Sequence, residues 1–250
     1  MAKKVTLEDV SSRLVMPTTV TETLYNRVRT DILTGILGPG EKLKLDALRR
    51  RYDVSVNTLR EVLSRLVADA LVSNEGQSGF RVVPTSLADL SDITEIRLML
   101  ECQAVRLSIQ RANLEWESHL VAAYHKLSKI EAVIDSDKGR YGPQLEQYNR
   151  EFHTALISAC GSRWLLHFHG MMYDQSQRYR MLALRVKDFP REQSRREHRE
   201  ILDAALARNA DKVVATLTAH ITKGAELYVE GDAAKSASSA SARAKRRKTK

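Results

Sequence analysis

With 250 residues, 43% hydrophobic and 28% charged, the chain has the composition of a water-soluble protein with room for two modest domains. No apolar run approaches the ~20 residues that span a bilayer, and Met1-Ala2-Lys3-Lys4-Val5 lacks a signal-peptide core, so a cytoplasmic protein with no membrane partner is expected. The net charge of +9 is uneven: residues 1–86 carry 13 basic against 10 acidic groups, 87–231 carry 20 of each, and 232–250 carry 7 against 1, which excludes a uniform polyanion-binding surface and places such binding at the ends.

Residues 1–19 have weak periodicity and read as a flexible arm. From Thr21 to Thr34, Leu24, Val28 and Ile32 recur at helical spacing. Breakers in "GILGPGEKL" (35–43) force a turn, and a second helix is expected from Asp46, a candidate N-cap, to Tyr52. A third runs from the candidate N-cap Ser55 to about Asp69, with Leu59, Val62, Leu63 and Leu66 on one face. The period then changes. "ALVSNEGQSGFRVVP" (70–84) reads as strand, Gly-containing turn and strand, closed by Pro84. Short helix, tight break and basic helix outline a helix-turn-helix, and also any two packed helices; a hairpin directly after the third helix decides for a winged helix.

Beyond Pro84 the strand signals vanish. Helical patterns cover about 89–111, 115–134, 143–160, 162–186, 192–208 and 211–230, with polar breaks such as Asp135–Gly142. The fold class is therefore mainly α: an N-terminal winged helix-turn-helix and a C-terminal antiparallel bundle of about six helices. The two cysteines, Cys102 and Cys160, sit in largely apolar helical patterns and read as reduced core residues. The low-complexity stretch at 232–250 lacks large apolar residues and reads as a disordered basic tail.

"ILTGILGPGEKL", "LRRRYDVSVNTLREVLSRLVADALV" and "GFRV" resemble the winged-helix head of the GntR family of bacterial transcription regulators. "EIRLMLECQAVRLS" (95–108), "NREFHTALISACG" (149–161) and "REHREILDAALARNADKVVATLTAHI" (196–221) resemble the helical ligand-binding (FCD) domain of its FadR-type branch. The resemblance covers about residues 20–230. It implies a DNA-binding domain at 20–84, a linker at 85–88 and a helical ligand-binding and dimerisation domain at 89–231. Three positions depart from the pattern: Val56 stands where an arginine is common, Ala70 where a glycine is usual, and Asn149 where the branch usually has aspartate.

In such a head the first turn after Ser55 faces base edges, while flanking basic residues meet phosphates. Asn57 suits adenine, Val56 a thymine methyl, and Arg60 a guanine or a phosphate, with Ser55 and Thr58 in the same turn. Lys44, Arg49, Arg50 and Arg51 are placed for phosphate, and Gln77 and Ser78 sit at the hairpin tip. One head covers little DNA, so a homodimer on a (pseudo)palindromic operator is expected.

In the helical domain His153, His198 and His220 each lie on the apolar side of a different segment. Spacing alone leaves each open between a hydrogen-bonded core residue and a ligand. The resemblance assigns them, with Asn149, to a divalent metal, zinc or nickel by donor chemistry. It also matches Arg97 to an arginine that grips a carboxylate, with Arg178 and Tyr179 as further ligand-binding candidates. His167 and His169, flanking Phe168, read as unrelated to the site. The resulting expectation is a repressor of a catabolic operon released by a small carboxylate. A metal-dependent enzyme on the three histidines and a constitutive DNA-binding protein are the alternatives. No HExxH, nucleophile-elbow or phosphate-loop motif supports the enzyme.

Overall fold

A computed structural model describes residues 19–184 and 191–248, with side chains to Val229 in the last segment. The expected arm therefore lies almost wholly outside the described residues. The chain divides into two compact units, residues 1–31 with 40–83 and residues 32–39 with 84–250.

In the first unit, α1 (Val20–Leu33) buries Leu24 and Val28 one turn apart, as their spacing predicts. After the breaker loop comes β1 (Lys42–Leu43), a strand not expected from the sequence, then α2 (Leu45–Tyr52). Asp46 is not the N-cap of α2. That position is Lys44, which makes no side-chain cap bond, and Asp46 sits inside the first turn, where its charge suits the helix dipole. Ser55 does cap α3 (Val56–Ala68): its Oγ accepts the Thr58 N–H at 3.1 Å. Leu59, Val62, Leu63 and Leu66 are fully buried, each contributing roughly 1.5–3 kcal/mol, and they fix which face of α3 looks outward.

The end of α3 is a backbone-built stop. Leu71 N–H donates to Leu66 O and Ala70 N–H to Val67 O, both at 3.0 Å, a pattern that puts Ala70 in the left-handed region at φ +56°. Next come β2 (Val72–Asn74) and β3 (Phe80–Val82), an antiparallel pair in the register Val72↔Val82 and Asn74↔Phe80. β1 adds to the far side of β3 through Leu43↔Phe80, giving the sheet order β1-β3-β2. The turn between β2 and β3 uses Gly76 and Gly79 at positive φ, so glycine there is a conformational requirement.

The second unit is helical: α4 (Leu87–Arg111), α5 (Leu114–Val133), α6 (Lys138–Ile157), α7 (Arg163–Ala183), α8 (Arg191–Leu206) and α9 (Ala210–Lys248). Side chains cap most of their N-termini: Ser86, Asn113, Asp137 and Ser162 each accept a backbone N–H three residues on. α6 starts five residues before the sequence pattern suggested, because the Asp137 cap recruits Lys138–Gly142 into its first turns. α4 packs on α7 and α9, α5 on α6, and α8 on α9, around Val105, Leu120, Leu127, Phe152, Leu156, Ile201 and Leu217. The backbone of α9 stays helical through the segment read as a disordered tail. Alanine is the strongest helix former, so "AAKSASSASARAKRRK" extends a helix without an apolar stripe.

Candidate functional site

On α3, outward residues follow from the buried stripe. Asn57 and Arg60 are exposed, and Val56 and Thr58 are half-buried in the first turn. Ser55 and Thr58 also bond each other through their hydroxyls at 2.9 Å, so both are occupied in capping. Lys44, Arg49 and Arg50 are exposed, whereas Arg51 pairs with Asp31 at 2.9 Å and Arg65 with Glu22 at 3.0 Å. These two arginines therefore brace the unit internally. Gln77 and Ser78 are exposed in the short helical turn at the tip of the β2–β3 hairpin. Behind that tip Arg81 is clamped by Glu75 and by the Gly40 carbonyl, which holds the hairpin against the sheet.

In the helical unit a cavity of about 100 Å³ opens among α4, α6, α7, α8 and α9. His153, His198 and His220 line it and bring ring nitrogens within 4.8 Å of one another. Each ring is held at Nδ1 by a carboxylate from another helix: Glu101 Oε1 at 2.5 Å for His153, Glu131 Oε1 at 2.7 Å for His198, and Glu197 Oε2 at 2.8 Å for His220. An ionised carboxylate only accepts, so Nδ1 is the donating ring nitrogen of His153 and His220, whose partners Glu101 and Glu197 are held below the usual carboxylate range. The buried Nε2 atoms of His153 and His198 have no hydrogen-bond partner among the described residues. Burial pushes the His153 imidazole down to about 3 and that of His220 to about 4, against the pull of Glu101 and Glu197, so both rings are neutral at physiological pH.

These observations fit a divalent cation. Core histidines normally use both ring nitrogens, whereas here two buried, unpartnered Nε2 atoms belong to rings that line a cavity, oriented by the carboxylate–histidine pairing usual behind metal ligands. Asn149 is buried and lines the same cavity. Its amide nitrogen donates to the Tyr173 hydroxyl at 2.8 Å, so only its carbonyl oxygen could join the imidazoles in a nitrogen-rich donor set of the kind that suits zinc or nickel.

Arg97 also lines the cavity. Its Nε donates to Glu101 Oε2 at 3.0 Å, its Nη1 reaches Ser176 Oγ at 3.4 Å, and the guanidinium lies 4.6 Å from the Tyr173 ring centre. Tyr179 lines it too. Its hydroxyl donates to Asp89 and accepts the Ser86 N–H at 3.2 Å; beside it, edge-on at 4.9 Å, Tyr228 donates to Thr85 Oγ1 at 3.2 Å. Arg178 is not part of the wall. It is buried with its Nη1 on Gln175 at 3.1 Å, while Arg180, paired with Glu146, faces the cavity instead. Two residues along a helix turn through roughly 200°, which puts these arginines on opposite sides.

Sequence reasoning also missed His169. It is buried, and its Nε2 lies 3.1 Å from Glu101 Oε2 without hydrogen-bonding alignment. His167, by contrast, is exposed and meets Trp164 and Phe168 edge-on at the surface. Glu101 is the hub of this network. Burial raises its proton affinity, but the Arg97 guanidinium and the hydrogen bond from His153 outweigh that and hold it well below the usual carboxylate range.

Comparison with known proteins agrees with both halves of this description. Residues 20–82 match the model for bacterial regulatory proteins of the gntR family, and residues 92–223 match that for the FCD domain. The chain is 42% identical over 200 residues to an uncharacterised HTH-type transcriptional regulator, BphR, of Paraburkholderia xenovorans, covering 80% of this chain and 81% of that protein. It is 35% identical over 203 residues to the HTH-type transcriptional repressor GlaR of Escherichia coli, covering 79% of this chain and 90% of that one. The solved structure of E. coli McbR/YncC shares the fold with a TM-score of 0.72 at 20% identity, over 85% of this chain and 98% of that one. Among the described residues no helix is long and apolar enough to cross a membrane. With a winged helix followed by an FCD domain along most of its length, the chain belongs to the GntR family of bacterial regulatory proteins and is a transcription regulator, not an enzyme.

Proposed function

We propose that this regulator is a homodimeric, sequence-specific repressor of a catabolic operon, released from a (pseudo)palindromic operator by a small carboxylate. The observation that carries the reading is one cavity lined by three carboxylate-held imidazoles and by Arg97 and Arg180. A divalent cation on His153, His198 and His220, with Asn149 beside them, would supply a fixed positive charge for an anionic group. Arg97 would hold a second oxygen pair of the same molecule. Two charge contacts across a small cavity favour a compact carboxylate with more than one anionic or chelating group. The E. coli relative named as a repressor supports the direction of control.

The cavity wall also reaches the start of the helical domain. Tyr179 forms part of that wall and bonds Ser86 and Asp89 at the head of α4. A ligand that shifts Tyr179 therefore changes how the chain leaves the helical domain toward the DNA-binding head. Thermodynamic reciprocity follows: operator DNA must weaken the ligand by the factor that the ligand weakens DNA.

The test is operator binding by fluorescence anisotropy, with zinc-loaded or nickel-loaded wild type and His198→Ala against a panel of small carboxylates. The expected result is metal bound by the wild type, and a carboxylate that lowers its operator affinity but acts weakly on the variant. A protein that takes up no metal under any loading condition, and a variant that responds like wild type, would falsify the metal-centred form. Operator affinity that no carboxylate changes would make this a constitutive DNA-binding protein. Sedimentation as a monomer at micromolar concentration with full operator affinity would overturn the dimer.

A further inference from the structure

Among the three histidine carboxylates Glu101 differs from the other two. Glu131 and Glu197 approach His198 and His220 on α8 and α9, and among the described residues the hydrogen bonds of Arg97 go to Glu101 and Ser176 instead. Glu101 is completely buried and turns one oxygen to the histidine cluster and the other to Arg97, with His169 Nε2 also 3.1 Å from the latter. Oε1 takes the Nδ1 proton of His153, and Oε2 takes the Nε proton of Arg97, one helical turn earlier on α4.

We infer that Glu101 is a positioning residue that couples occupancy of the histidine cluster to occupancy of Arg97, so that metal and anionic effector strengthen each other's binding. The inference rests on the metal-and-carboxylate reading above and adds the residue through which the two sites communicate. An anion that engages the Arg97 guanidinium draws positive charge away from Glu101 Oε2. The carboxylate then becomes a stronger acceptor for the His153 Nδ1–H, and the ring offers a more electron-rich Nε2 to the cation. Run in reverse, a cation on Nε2 polarises the Nδ1–H bond toward Oε1, relaxes the grip of Glu101 on Arg97 and frees the guanidinium for an anion. Full burial matters, because a water-exposed carboxylate would be screened and would not transmit these shifts. Direct attraction between a cation and a neighbouring anion also couples them, so the claim is specific to the share that passes through Glu101.

The experiment is a cobalt(II) titration of the full-length protein, followed by the visible absorption of the bound ion, with and without succinate, malate or citrate. The wild type is expected to bind cobalt about 5- to 150-fold more tightly in the presence of at least one of these anions. Glu101→Gln and Glu131→Gln should both lose about 10- to 100-fold in cobalt affinity, since each removes a carboxylate from a histidine. Only Glu101→Gln should also lose most of the enhancement by the anion. Equal enhancement in Glu101→Gln and wild type, or equal loss in both variants, overturns the inference while leaving the metal site intact. No cobalt binding by wild type overturns the underlying reading as well.

Glu101→Gln leaves Arg97 without its carboxylate and risks misfolding, so a second measurement uses the wild type alone. In the zinc-loaded protein, the Nδ1 proton resonance of His153 should move downfield on addition of the anion that enhances cobalt binding, as its bond to Glu101 strengthens. A resonance that stays in place overturns the inference.

Discussion

Neutral histidines packed at the centre of the helical domain should make its stability fall as solutions become mildly acidic. A histidine titrates at about 6.5 when unfolded, whereas burial holds His153 near 3 and His220 near 4. Both folded values lie below the unfolded one, so the unfolded chain binds more protons between them. The associated stability is complete above pH 6.5 and is lost as pH falls toward the folded values. Each such group loses about 1.4 kcal/mol per pH unit once well below 6.5. Going from pH 7 to pH 5, where neither folded ring is yet protonated, the two together remove about 4 kcal/mol, a large part of a typical domain's stability. Glu101 and Glu197 are also held below their usual range, but their losses begin only near the ordinary carboxylate value of 4.5. Urea unfolding of the EDTA-treated protein, followed by far-ultraviolet circular dichroism at pH 7, 6 and 5, measures the effect. His153→Gln and His220→Gln should each cut the loss to about 2 kcal/mol, because one titrating group remains. A midpoint that does not move between pH 7 and 5, or a slope that neither variant reduces, would show that these rings are not neutral in the folded state.

Ala70→Gly should stabilise the winged head by about 0.5–1 kcal/mol: the left-handed backbone costs an alanine about 1–2 kcal/mol, less the flexibility glycine adds to the unfolded chain. Slower amide exchange across 66–83 would report it, and unchanged exchange would mean that the strain is absent. Arg60→Ala should weaken operator binding by about 1–3 kcal/mol with loss of preference at one position per half-site, read by binding-site selection; uniform weakening on all sequences would make Arg60 a phosphate contact. Val56→Arg should redirect the half-site preference, since Val56 opens α3, and an unchanged selection profile would mean that it faces no base. Deleting 232–250 should leave the fold intact and flatten the salt dependence of non-specific DNA binding; identical slopes would leave those basic residues without a DNA role.

The parts of the structure carried by repeating patterns were readable in advance. The stripe Leu59-Val62-Leu63-Leu66, the Ser55 cap and the glycine-rich hairpin each have a local cause, and together they define the winged head. The histidines stood out on apolar faces, where a polar residue is conspicuous, but only the family resemblance tied them to one site. Their carboxylates did not stand out. Glu101 and Glu131 lie 52 and 67 residues from the histidines they hold, and in a chain so rich in charge each looks like one more solvated glutamate. His169 was misjudged for lack of the same long-range partner. β1 escaped because two residues have no period, and only pairing with β3, nearly 40 residues on, makes them a strand. Arg178 and Arg180 show how fine the margin is, since "RYR" offers two basic residues and only the helix phase chooses between them.

The tyrosine pair that holds Thr85, Ser86 and Asp89 sets where this protein can be cut and rejoined. A chimera that takes a foreign DNA-reading head should splice at Val83–Pro84, upstream of every residue that Tyr179 and Tyr228 touch at the start of α4. Such a hybrid keeps the anchoring of α4 intact, and with it the response to effector proposed above. A junction placed a few residues later, inside 85–89, discards the Ser86 cap of α4 and both hydroxyl anchors at once. In the effector-released scheme proposed above, such a recombinant loses its link from sensor to reader and becomes a reporter locked in a single state.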